Sequence, residues 1–524
     1  MHRTLLMLCS LFALSTAAAD TLRIGSGRLT GIRSDDGKLR LYLGIPYARP
    51  PLGALRWQEP QPPQPWSGVR KARRFGSRCM QLHYFDDMVF RSADMSEDCL
   101  YLNVWTPATR RRERLPVLVY FHGGGLFAGD GSEPRYDGAR LARQGIVVVT
   151  VNYRLGVFGF LAHPELSAAA SHRGSGNYGF LDQSAALRWV RENIAAFGGD
   201  PRRITIGGES AGSVSVSALM ASSLSRDLIA GAIGESGSIL GTLSTLPLAE
   251  AEQQGVELAQ RAGVPNLAGL RALPAERLMT LAGRDERGAN IYYRPTLDGR
   301  FFTRPPRAVF AAGEQAQVPL LAGANSAEGE GQMAVILGRE PPTLENYRAG
   351  MQRKFGTLGA QLAALYPAAA DGVAVLDAAR DVAGDLFIGY STWRWVDAAT
   401  RSVASPTYFY RYAHPRPAAR GSAAVTTAQQ PTPGATHASE IEYALGNLDN
   451  NPDYDWSAAD RQVSATMFGY FTNFIRSGDP NGPGLPTWPR YASGQRQRID
   501  VITLAEPDDS VARLRLLDQA LNTP

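Results

Sequence analysis

Short, unbroken apolar runs recur along the chain, spaced as strands are when helices alternate with them. Val117 to Phe121, Ile146 to Val151, Arg203 to Gly207 and Val318 to Ala322 are brief and β-rich. Runs of this kind, apolar at successive positions rather than at every second one, predict parallel strands covered on both faces. Helical periodicity separates them. From Asp182, read as an N-cap, apolar residues fall at Ala185, Ala186, Trp189, Val190, Ile194 and Phe197, and Gly198-Gly199 ends the stripe. Val214 to Met220 reads as a buried helix, and residues 250–290 and 340–405 read as largely helical. The first hundred residues are broken by prolines, as in a loop-laden β start, and Arg416 to Thr436 reads as an irregular loop. Strand and helix in alternation predict an α/β fold: a large, mostly parallel sheet flanked by helices.

The N-terminus departs from this pattern. His2 and Arg3 precede an apolar run from Leu5 to Leu14, followed by the small residues Ala17-Ala18-Ala19. This predicts a signal peptide over residues 1–19, cleaved near Ala19, and a secreted or periplasmic protein. The bulky Leu8 before Cys9 is a poor fit to a lipid-attachment site. The run is too short to span a bilayer, and no other stretch reaches eighteen uninterrupted apolar residues, so stable membrane insertion is not expected. The remainder, 20–524, reads as a single domain, since neither a linker nor an internal repeat divides it, and a monomer is the default expectation. Once Cys9 is removed, Cys79 and Cys99 are an even pair in an oxidising compartment, the setting for a disulfide; two unpaired buried thiols are the alternative.

Composition narrows the function classes. The chain of 524 residues carries a net charge of only +5, and its arginine clusters are not interleaved with aromatics, so nucleic acid is not an expected partner. No phosphate loop, dinucleotide fingerprint or metal-ligand cluster is present in the sequence, and neither metal nor organic cofactor is expected.

The strongest chemical signal is Gly208-Glu209-Ser210-Ala211-Gly212. A strand-like run leads in and a helix-like run leads out, the setting of a nucleophile elbow. A serine hydroxyl is a weak nucleophile until a base takes its proton. Five of the seven histidines precede Ser210. His414 and His437 follow it; His414 fits a packed or capping role, and His437, before Ser439-Glu440-Ile441, is the candidate base. The loop after Val318 to Ala322 supplies the carboxylate, Glu328 on spacing, with Glu330 as its rival. Phe121-His122-Gly123-Gly124-Gly125 follows a strand and offers unobstructed amides for an oxyanion, and the amide of Ala211 would complete the set.

These residues resemble the type-B carboxylesterases, relatives of the cholinesterases within the α/β-hydrolase fold. The stretches YLGIPYARPPLGALRW (42–57), SEDCLYLNVWTP (96–107), YFHGGG (120–125), GGESAGS (207–213) and SGDPNGPGLPTWPRY (477–491) are similar to that family's signatures. The resemblance runs from about residue 22 to the C-terminus. It implies loop and helical insertions over the active site and a small-molecule ester as substrate. It makes Ser210 the nucleophile, Glu328 the acid, His437 the base, and Gly124, Gly125 and Ala211 the oxyanion donors. It pairs Cys79 with Cys99, and it places Glu209 and Ser236 as supports of the triad. Two departures stand out. Ala327 and Ala438 replace the family's neighbours of the acid and the base. Between the cysteines there are Tyr84, Phe85 and Phe90 but no tryptophan to face a quaternary ammonium, which argues against choline esters. The Cys loop with Phe85, Met88 and Phe90, the loop from Leu126 to Tyr136 and the segment before His437 are candidate pocket walls, and their apolar content favours medium or bulky uncharged esters. The alternatives are a catalytically silent adhesion or binding protein on the same fold, or an amidase or thioesterase using the same triad.

Overall fold

The computed structural model describes residues 21–241, 243–285, 288–421 and 433–522. The export segment expected over 1–19, with Cys9, and the middle of the loop expected over 416–436 lie outside the described residues.

Eleven strands form one sheet: β1 (Ile32–Arg33), β2 (Arg40–Pro46), β3 (Tyr101–Thr106), β4 (Leu115–Phe121), β5 (Val147–Val151), β6 (Gly199–Glu209), β7 (Gly231–Glu235), β8 (Leu320–Asn325), β9 (Thr407–Tyr412), β10 (Gln495–Ile499) and β11 (Leu504–Pro507). Their spatial order is β11-β10-β9-β8-β7-β6-β4-β5-β3-β2-β1. The seven strands from β4 to β10 run parallel, and antiparallel strands close both margins. A smaller three-stranded sheet uses Leu22–Ile24, Gly27–Thr30 and Val69–Lys71.

The uniform apolarity of the central strands has a simple cause. Val117, Val119 and Phe121 enter one core with Val147, Val149 and Val151, while Leu118, Tyr120 and Val148 enter a second core on the opposite face. Side chains still alternate, but both faces are covered. Each such side chain, fully withdrawn from water, contributes about 2 kcal/mol. The helices Tyr178–Asn193, Ala211–Ala221 and Tyr390–Ser402 cover the first face, and Ala458–Ser477 covers the second.

The first of these helices corrects one expectation. It begins at Tyr178 rather than at Asp182, with Asn177 before it in a left-handed conformation. Asp182 is buried inside it because its carboxylate takes Arg154 Nε and Nη2, each at 2.7 Å. The stripe itself is buried apart from half-exposed Ala185, Ile194–Phe197 forms a separate 3-10 turn, and Gly198 at φ 87° ends it. The stretch read as helical over 250–290 contains Leu248–Ala262, Leu267–Ala272 and Ala275–Gly283; that over 340–405 contains Leu344–Phe355, Gly359–Leu365, Val373–Gly384 and Tyr390–Ser402. Among the described residues no helix is long and apolar enough to cross a membrane.

Candidate active site

Three loops leave the carboxyl ends of parallel strands and converge. The first follows β6. Ser210 sits in the turn between β6 and the helix Ala211–Ala221 at φ 55° and ψ −120°, a conformation that costs a non-glycine residue on the order of 1–3 kcal/mol. The chain crosses β4 closely here: a Cβ at Gly208 would fall 2.6 Å from the Phe121 carbonyl oxygen, and one at Gly212 would collide with the same oxygen. The two glycines therefore permit the tight turn, and the turn lifts the Ser210 hydroxyl off the sheet edge.

The second loop follows β8 and carries Glu328, which is 5% exposed. One carboxylate oxygen accepts hydrogen bonds from Ser236 Oγ at 2.6 Å and from the Asn325 amide at 2.7 Å. The third follows β9 and ends at His437. Its Nδ1 lies 2.7 Å from the other Glu328 oxygen, and its Nε2 lies 2.9 Å from Ser210 Oγ. The second and third loops are joined through the main chain: the Ala327 amide donates to the Ala435 carbonyl at 2.8 Å, and Ala327 bridges Thr436. Glu330, the rival acid, is exposed. His414 lies elsewhere, with Nε2 at 2.9 Å from Asp460, as a packed histidine would.

Gly124 and Gly125 follow β4 with φ of 101° and 64°. Among the described residues no acceptor takes the N–H of Gly124, Gly125 or Ala211. The Cys79–Cys99 disulfide is formed. Its loop packs over this turn, since a Cβ at Gly124 would fall 3.0 Å from Met88 Cε. Phe85 of the same loop stacks on Phe127, with centroids 5.8 Å apart.

The electrostatics are dominated by buried carboxylates. Glu209 Oε1 lies 3.3 Å from His437 Nε2 and has no hydrogen-bond partner among the described residues. Burial pushes the Glu209 carboxyl up to about 8. Burial also disfavours a charged His437, but Glu209 first and Glu328 next outweigh it and raise the imidazole to about 10. Residues that sequence reasoning did not place here complete the site. Glu440 accepts from Asn325 Nδ2 at 2.5 Å and from Ser236 Oγ at 3.3 Å, and Phe387 presents its ring to His437 edge-on at 5.0 Å. The sequence marks Glu440 only as part of a helix start, and no local pattern shows it as buried. Phe387 lies on a π turn, Asp385–Gly389, within an otherwise helical stretch.

A hydroxyl bonded to an imidazole that is in turn bonded to a carboxylate, beside unfilled N–H donors, is an arrangement suited to acyl transfer. Comparison with known proteins agrees with that chemistry. A family model described as the carboxylesterase family matches residues 18–514. The fumonisin B1 esterase of Sphingopyxis macrogoltabida is 35% identical over 479 residues, covering 89% of this chain and 83% of the relative. The para-nitrobenzyl esterase of Bacillus subtilis (strain 168) is 34% identical over 494 residues, covering 91% and 94%. A solved structure of a PNB esterase superposes with a TM-score of 0.80 at 31% identity, covering 95% of this chain and 99% of that one. With its α/β-hydrolase fold, this chain belongs to the carboxylesterase family and is a carboxylic ester hydrolase.

Proposed function

We propose that the protein is an exported serine esterase that works through an acyl-enzyme on Ser210. The observation that carries this reading is the continuous chain of hydrogen-bonding contacts Ser210 Oγ, His437, Glu328. In the first half-reaction the Ser210 oxygen attacks the ester carbonyl as His437 Nε2 takes its proton. The carbonyl electrons move onto oxygen, and the N–H groups of Gly124, Gly125 and Ala211 stabilise that oxyanion. Glu328 holds the imidazole by its Nδ1–H and stabilises the imidazolium. When the tetrahedral adduct collapses, the C–O bond to the alcohol breaks and His437 returns the proton to the leaving oxygen. Water, deprotonated by the same imidazole, then attacks the acyl-enzyme and releases the acid. Glu209 and Ser236 position the base and the acid.

The proposal extends to the whole chain: residues 1–19 are a leader removed on export, and the mature protein from Asp20 acts as one domain. The Cys79–Cys99 disulfide supports an oxidising destination. N-terminal sequencing of the exported protein tests the leader. The mechanism is tested by hydrolysis of p-nitrophenyl esters of graded acyl length, with Ser210→Ala as control. A loss of roughly five to six orders of magnitude in kcat is expected in a folded variant. Turnover like that of the wild type would assign the chemistry to another residue.

A further inference from the structure

We propose that the esters this enzyme takes carry an anionic group, a carboxylate or phosphate, at the end of an aliphatic arm, held at the mouth of a cavity that opens beside His437. The proposal rests on the reading of Ser210 and His437 given above. The cavity has a volume of about 670 Å³, within the range of small-molecule sites. The part of its wall nearest His437 is apolar. Phe387, on its wall, is the ring that meets His437 edge-on at 5.0 Å. Ile239 and Leu240, also on the wall and fully buried, continue the chain from Gly237, where a Cβ would lie 3.2 Å from the Ser210 carbonyl oxygen. Its outer end reaches the surface, where Lys354 is exposed.

The charges on this wall have one sign. Arg294, Arg307 and Lys354 line the cavity, and no carboxylate does among the described residues. Arg307 is already engaged by Asp518 at 3.6 Å. Arg294 and Lys354 have no described carboxylate within 4 Å. Half-buried Arg294 donates Nη2 to the Ser244 carbonyl at 2.7 Å and to its hydroxyl at 3.1 Å, while its buried Nε has no partner among the described residues. A guanidinium partly withdrawn from water, on which Glu250 acts only through space and to which no described carboxylate is bonded, favours a ligand that brings an anion. A cavity whose wall combines apolar side chains near His437 with Arg294 and Lys354, neither held by a described carboxylate within 4 Å, matches a hydrocarbon arm that ends in an anion. It disfavours a quaternary ammonium, in line with the missing tryptophan of the Cys loop. The uncharged esters expected from the sequence rest on the apolar and aromatic content of the Cys loop, the loop from Leu126 to Tyr136 and the segment before His437; Arg294 and Lys354 lie on none of these segments.

The test compares kcat/KM for p-nitrophenyl hexanoate with the mono-p-nitrophenyl ester of adipic acid, which differs by a terminal carboxylate on the acyl arm. A second pair, butyl butyrate and 4-butyryloxybutanoate, places the charge on the alcohol arm. In one pair the anionic ester is preferred, and that preference falls at least tenfold in Arg294→Gln/Lys354→Gln and is retained in Arg294→Lys. The exposed Lys354→Gln alone, which disturbs no packing, lowers it in the same direction. No anionic preference in either pair, or one that the double variant leaves intact, overturns the proposal. Calorimetric titration of the wild type with adipate and hexanoate separates the two readings. Adipate bound without any ester turnover counts against the Ser210 mechanism, whereas turnover without charge preference counts against the cavity.

Discussion

At the scale of single residues, Glu209 and His437 exchange influence across 3.3 Å. Both groups are raised, so they release their protons at higher pH than isolated side chains. Between the loss of the first and the second proton, an imidazolium–carboxylate form competes with the form in which His437 is a free base. Glu209→Gln abolishes that competitor and removes the negative charge that raises the imidazole. The acidic limb of kcat/KM against pH is therefore expected to move to lower pH by about one unit. A profile of a neutral ester from pH 5 to 9 checks this, and movement to higher pH would show that Glu209 acts by packing alone. Ala438 illustrates a second residue-scale effect. It takes φ 62°, a left-handed value, and so bears a local cost on the order of 1 kcal/mol that glycine would not.

At the scale of elements, the disulfide loop is the piece most dependent on a single bond. Residues 79–99 carry little regular structure, two-residue strands at each end, yet they place Met88 and Phe85 against the glycine turn and Phe127. Replacing Cys79 and Cys99 by alanine is expected to destabilise the protein by about 3 kcal/mol, through the entropy of a loop of about twenty residues in the unfolded chain. Chemical denaturation of the double variant measures it; an unchanged midpoint would mean that packing alone holds the loop. Elements also show what the sequence could reveal. The strands β4, β5, β6 and β8 were legible because burial on both faces leaves their central stretches largely apolar, whereas β7, with two glycines and a glutamate in five residues, was not read. β10 was not: its Gln-Arg-Gln-Arg-Ile stretch looks soluble, but Arg496 is 4% exposed and is held by Glu506 and Asp508 at 2.8 and 3.0 Å. Asp182 misled for the same reason, a buried ion pair imitating a surface cap. Within the site, the turn around Ser210 and the glycines near β4 stood out because their chemistry is local in sequence. Glu440 and Phe387 reach the site only through tertiary packing, and no spacing announces them.

At the scale of the whole molecule, buried acids set how stability varies with pH. Glu209 is raised to about 8, and burial lifts Glu235, which accepts from Tyr120 at 3.0 Å, well above its ordinary value of 4.5. In the unfolded chain both would be ionised above about pH 5. From there to about pH 8 the folded protein keeps protons that the unfolded chain has released, and the raised His437 adds the same sign above its ordinary value of 6.5. His122 and His163, lowered by burial, act with the opposite sign below 6.5, but the raised Glu209, Glu235 and Glu440 outweigh them, and unfolding free energy falls as pH rises through this window. Acids held low, such as Asp460, act below it. Thermal midpoints should fall between pH 5.5 and 8, and Glu235→Gln should flatten the decline. A midpoint that rises with pH across that range would reverse the sign.

The main-chain clip between Ala327 and the Ala435–Thr436 segment has a mechanical meaning. Because backbone atoms join the two loops, Glu328 and His437 form one jaw, and the turn at Ser210, anchored in β6, forms the other. Displacements shared within a jaw leave the spacing of Glu328 and His437 unchanged and appear in full at the gap to Ser210. The working tolerance of the site is thus concentrated in one joint, the one across which the proton travels in the proposed mechanism.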